Sequence, residues 1–111
     1  MQKSSDQVIV VLVTAKDAAQ AEIISRRLLE KKLTACVNIV PGVRSLFWWE
    51  KKIDEAPETL LVIKSKGSLF EKIVTAVKAV HSYDVPEIIA LPVVAGNDDY
   101  LKWVASSVCG S

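Results

Sequence analysis

Ala35-Cys36-Val37-Asn38-Ile39-Val40-Pro41-Gly42-Val43-Arg44-Ser45-Leu46-Phe47-Trp48-Trp49-Glu50 is the stretch on which the fold turns. Its β-branched and aromatic content reads as one long strand over 35–50. Only Pro41-Gly42 interrupts it, where a residue with no amide hydrogen precedes a permissive one and a bulge or bend is expected. Thr59 to Lys64 supplies the antiparallel partner, with Glu50-Lys51-Lys52 near the turn. At ~3.3 Å per residue the long strand reaches ~50 Å, whereas a compact domain of this size is ~35 Å across. The hairpin is therefore expected to overhang its own domain, carrying Phe47, Trp48 and Trp49 with Val43, Leu46 and Ile53 nearby. One or two of these aromatics can fold back on the core. A run on alternating faces cannot do so as a whole, so a partner must cover apolar surface and open strand edge.

On the N-terminal side, Val8 to Thr14 is a β-branched run with apolar residues at both parities, the pattern of a central strand covered on both faces. Asp17 can cap the next segment with Gln20 three residues on, and Ala21, Ile24 and Leu28 share a helical face, so a helix is expected over 17–32. On the C-terminal side, Ser68 and Glu71 form an S-x-x-E capping box before Ile73, Ala76, Val77 and Val80, which gives a second helix over 69–80. Glu87 to Val94 is apolar enough for a buried strand. Asn97 then caps a last short helix, with Asp98 and Asp99 in its first turn and Tyr100, Trp103 and Val104 on one face. The order β-α-β-β-α-β predicts an α+β, ferredoxin-like βαββαβ sandwich with an extra C-terminal helix and a long β-hairpin.

All of this fits one domain of 111 residues, with a polar segment at 1–7 and a frayed tail at 107–111. Half the residues are hydrophobic, which excludes global disorder. Fourteen basic against thirteen acidic residues give a net charge of +1, no broad field for nucleic acid or an anionic membrane. No apolar stretch approaches the ~20 residues that span a bilayer, and the polar start lacks the apolar core of a secretory signal, so a cytoplasmic location is expected. Cys36 and Cys109 form neither a CxxC pair nor a disulfide framework and are expected to be thiols.

There is little catalytic apparatus to find. The sequence has no P-loop, GxGxxG, HExxH or GxSxG, and no nucleophile, base and orienting group can be named together, so no enzyme is expected. Two roles fit His81, the chain's one histidine: capping the carboxyl end of the preceding helix, or a ligand role completed by cysteine, carboxylate or another subunit. Cys36, inside a strand, reads first as a small buried hydrophobe. Glu87 reads as a surface carboxylate at a strand start that could also coordinate a metal. Cys109 lies in the tail.

Five ordered motifs resemble the CutA divalent-cation tolerance family. Leu33-Thr34-Ala35-Cys36-Val37-Asn38 is similar to its L-A-A-C-V-N, and Ser45-Leu46-Phe47-Trp48-Trp49-Glu50-Lys51-Lys52-Ile53 to its S-x-Y-x-W-x-G-K-I. Leu61-Val62-Ile63-Lys64-Ser65 resembles L-x-I-K-T, and His81-Ser82-Tyr83-Asp84-Val85-Pro86-Glu87-Ile88 resembles H-x-Y-x-x-P-E-I. Gly96 with Tyr100, Leu101 and Trp103 is similar to G-x-x-x-Y-L-x-W.

The resemblance implies a ferredoxin-like protomer in a homotrimer, similar in architecture to the PII signalling proteins, with the hairpins wrapping neighbouring subunits. It implies a divalent metal ion, Cu(II) foremost, bound weakly near intersubunit clefts by His81, Cys36 and Glu87. Tyr83, Phe47, Trp48, Trp49, Tyr100 and Trp103 are then cleft or trimer contacts. Val13 and Val80 stand where some bacterial members carry an extra cysteine and a second histidine, and Lys51 stands at the family's turn glycine. Alternatives are a PII-like regulatory trimer that binds a small anionic metabolite in the intersubunit clefts, with Lys64 and Lys66 nearby, or a purely structural or interaction trimer.

Overall fold

The computed structural model describes residues 7–109. Strand β1 (Val8–Ala15) leads to helix α1 (Ala18–Glu30), the hairpin strands β2 (Cys36–Trp49) and β3 (Lys52–Lys66), helix α2 (Phe70–Val80), strand β4 (Ile88–Pro92) and helix α3 (Asp98–Ser107). The strands form one antiparallel sheet in the order β2-β3-β1-β4, the expected ferredoxin-like arrangement with an added C-terminal helix.

Alternation along the strands decides where the core sits. Val11 and Val13 of β1 and Leu61 and Ile63 of β3 share one face and meet Ile24 and Leu28 of α1 and Ile73 and Val77 of α2, all fully buried. Helix α1 starts as its sequence predicts, Asp17 Oδ1 accepting the Gln20 amide at 2.9 Å, and α3 starts likewise on Asn97, whose Oδ1 accepts the Asp99 amide at 3.0 Å. The double coverage expected of β1 is complete on one face and partial on the other, where α3 lies against β3 and β1. There Val10, Leu12, Leu60 and Val62 are half-buried, and Val40, Ile89 and Leu91 are exposed.

The hairpin is longer than expected on its second strand. Thr59–Lys66 of β3 pairs with β1, but 52–58 pairs with β2 alone, so a two-stranded ribbon over 43–58 projects from the four-stranded part. The described residues accordingly measure 46 × 26 × 22 Å. The bulge falls where Pro41-Gly42 predicts it: between the pairs Val40↔Leu60 and Val43↔Glu58, β2 advances three positions against two on β3, with Gly42 at φ 76°.

Three expectations need correction. The strand placed at 87–94 is shorter and not buried, because β4 pairs only with β1 and forms the sheet's edge. The Ser68–Glu71 capping box does not form. A 3-10 turn over Gly67–Leu69 intervenes, Leu69 takes the N-cap position without a side-chain cap, and the Gly67 amide is held by the Gln7 carbonyl at 2.8 Å. The tail does not fray at Val108 and Cys109: Val108 is buried in the core, and the Cys109 amide donates to the Lys32 carbonyl at 2.9 Å. The rest of that tail, 110–111, and residues 1–6 of the polar start lie outside the described residues.

Candidate functional site

His81 ends α2, its backbone amide closing on the Val77 carbonyl at 2.9 Å. The ring does not turn back to the helix. Its Nε2 donates to the Thr14 carbonyl near the end of β1 at 2.8 Å, and its Nδ1 accepts the Tyr83 amide at 3.0 Å, a pair of bonds that assigns the proton to Nε2. The Tyr83 ring lies 4.7 Å from the imidazole, and its hydroxyl donates to Glu58 Oε2 at 2.8 Å. Burial, then the bond to Glu58 and its charge, then the charge of Asp17 push the Tyr83 phenol up to about 12.

A second tie comes from α1. Buried Gln20 donates its side-chain amide to the Val80 carbonyl at 3.2 Å and accepts the Ser82 amide at 2.9 Å. Sequence reasoning assigned Gln20 to the capping of α1, where only its backbone N–H serves, and gave no role to Thr14 or Glu58. Their visible signal was slight: Glu58 was one more acid beside the hairpin, and Thr14 contributes a carbonyl that every residue has.

Cys36 faces Lys64 across the β2–β3 pair, on the parity opposite to Ile63 and so away from the core. It is half-buried. The Lys64 ammonium donates to Asn38 Oδ1. Tyr100 of α3 has its phenol raised, first by burial and then by the Cys36 side chain beside it, and its ring lies 5.6 Å from that of Trp103. Tyr100 and Trp103 both remain close to half exposed.

These positions test the metal set implied by the resemblance. Glu87 precedes the Val13↔Ile88 pair and so shares the Thr14 end of the sheet with His81. Cys36 does not: it lies level with Val10, four residues along and two strands across from Thr14, a separation of ~15 Å. Among the described residues, no three His, Cys, Asp or Glu side chains converge where they could hold a metal ion. The described donors of this chain therefore do not fit a preorganised divalent-metal centre.

The ribbon aromatics are brought together but not covered. Register puts Phe47 and Trp49 on one face with Val43, and Trp48 on the other with Leu46 and Ile53. Trp48 is 74% exposed and Trp49 61%, so neither indole folds back on the chain's own core. Arg44 and Glu55 form an ion pair between them, both largely in solvent.

A family model described as CutA1 divalent ion tolerance protein matches residues 9–107. The protein named Protein CutA 1, chloroplastic, from Oryza sativa subsp. japonica is 46% identical over 99 residues, covering 89% of this chain and 56% of that protein. The chain thus spans little more than half the length of that plant relative. Divalent-cation tolerance protein CutA from Pectobacterium atrosepticum is 43% identical over 100 residues, covering 90% of this chain and 91% of that protein. The crystal structure of CutA1 from Oryza sativa matches with a TM-score of 0.92 at 43% identity, over 98% of this chain and 100% of that one.

Proposed function

Because the chain belongs to the CutA1 divalent ion tolerance family, we propose that it acts as a non-enzymatic homotrimer in divalent-metal tolerance, with Cu(II) the metal of first interest and the cytoplasm its compartment. The observation that carries the assembly is a run of apolar surface that the chain's own elements cover only in part. It extends from Ile89 and Leu91 on the edge strand, across Val10, Leu12, Leu60 and Val62, to Val40 and the aromatic ribbon. Two open strand edges border it, and a closed ring of copies gives each ribbon and each edge a neighbour.

On this reading the trimer precedes the metal. Among the described residues no set of donors converges, so on this reading a divalent-cation contact draws on more than one copy, with Cys36 and Glu87 as its candidates. For the anionic-metabolite alternative the lysines lend little, since Lys64 already gives its ammonium to Asn38 and Lys66 is buried, and it rests on the intersubunit clefts of the proposed trimer.

Sedimentation equilibrium of the full chain, followed by calorimetric Cu(II) titration of wild type and Cys36→Ser, tests the proposal. The expected result is a three-chain mass and Cu(II) binding that weakens in the variant. A monomer at micromolar concentration would sink the assembly, and absence of Cu(II) binding would sink the metal assignment. A melting shift with a metabolite in chelated buffer would instead favour the alternative.

A further inference from the structure

His81 is the only histidine in the chain and the first residue to which a metal role would be given. A metal-bound histidine commonly offers one ring nitrogen to the ion and donates the other N–H to a carbonyl. The bond from Nε2 to the Thr14 carbonyl fits the second half of that arrangement. The first half is filled differently: the lone pair on Nδ1 already accepts the Tyr83 amide at 3.0 Å. A metal at Nδ1 would strand that amide, and a metal at Nε2 would displace the proton and strand the Thr14 carbonyl.

We infer that His81 is a positioning residue and not a metal ligand: its doubly hydrogen-bonded imidazole fixes the start of the α2–β4 loop so that Tyr83 clamps Glu58 at the root of the projecting ribbon. The location of Glu58 gives this consequence. It is the last residue of β3 before pairing with β1 begins at Thr59↔Ala15, and it stands opposite Val43, the first paired residue beyond the bulge. A contact at that point restrains the direction in which two otherwise unsupported strands leave the sheet. His81, Tyr83 and Glu58 thus connect β1, the loop and the ribbon in one chain of bonds. None of these bonds depends on the trimer, so the inference and the proposed assembly can fail separately.

A lone histidine makes the test direct. In the full chain, nitrogen NMR of the single imidazole should report a protonated Nε2 and a bare, hydrogen-bonded Nδ1, and added Zn(II) should leave both shifts in place. Hydrogen exchange should then accelerate roughly tenfold at amides 56–59 and 82–85 in both His81→Ala and Tyr83→Phe, since each removes one link. Movement of either ring nitrogen to a metal-bound shift overturns the inference, as does unchanged exchange in Tyr83→Phe. Should His81→Ala fail to fold, the wild-type spectrum and Tyr83→Phe decide it.

Discussion

Trp49 and Lys52 stand opposite one another at the end of the ribbon, and the two residues that join them, Glu50 and Lys51, both lie at positive φ, 50° and 67°. This is the backbone of a type I′ hairpin turn, built without glycine. A side chain in the left-handed region costs about 1 kcal/mol, partly offset by the greater freedom glycine has when unfolded. Lys51→Gly should therefore stabilise the chain by about 0.5–1 kcal/mol. A higher urea midpoint at unchanged slope would show it, and a lower midpoint would mean that the Lys51 side chain makes a contact worth more than the strain.

Tyr83→Phe removes the hydroxyl that binds Glu58 and should cost about 1–2 kcal/mol near neutral pH. The sign of its pH dependence follows from a phenol that is raised to about 12 in the folded protein from an ordinary 10.0. The stability it lends is whole below pH 10 and disappears as pH climbs through about 12. Wild type should thus weaken across that alkaline window more steeply than Tyr83→Phe, which denaturant melts at successive pH values would read.

Gln20→Ala deletes two bonds at once and leaves the Val80 carbonyl and the Ser82 amide without their partner. A loss of about 2–3 kcal/mol is expected in chemical denaturation. The N-cap of α1 should survive, because Asp17 binds the backbone N–H of residue 20 and not its side chain. Asp17→Ala, by comparison, should cost about 1 kcal/mol.

Replacing Trp48 and Trp49 together with serine tests what covers the ribbon. Both indoles are mostly exposed in the single chain, so intramolecular stability should change little. Light scattering should nevertheless show a smaller particle if neighbouring copies bury them. An unchanged mass would assign the association to the sheet face alone.

Most of the architecture was legible because it is written in periodicity. The continuous β-branched run of Val8–Thr14, the helical spacing of Ala21, Ile24 and Leu28, and the Pro41-Gly42 break each act locally and appear in the structure where the pattern puts them. The misses share a different cause. Ser68 and Glu71 spell a cap, but the chain leaves β3 into a turn whose first amide is held by Gln7, so the motif lost to a tertiary contact. Ile88–Pro92 reads as buried because its residues are apolar, and sequence does not say whether the covering surface belongs to the same chain.

The candidate site was legible in its residues and not in their bonds. His81 and Tyr83 stood out by type, whereas their partners are a Thr14 carbonyl, a Gln20 already given a cap to make, and a Glu58 distant in sequence. Cys36 and His81 were paired by chemistry, and the sheet register parts them.

The bulge between Val40 and Val43 makes the ribbon a lever. From Val43 to Trp49 the arm is ~20 Å long, so a rotation of ~10° about its root sweeps the tip through ~3.5 Å, close to one residue's rise along a strand. Small changes in direction beside Glu58 are thereby magnified at the tip, where Trp48 and Trp49 stand on opposite faces of the ribbon.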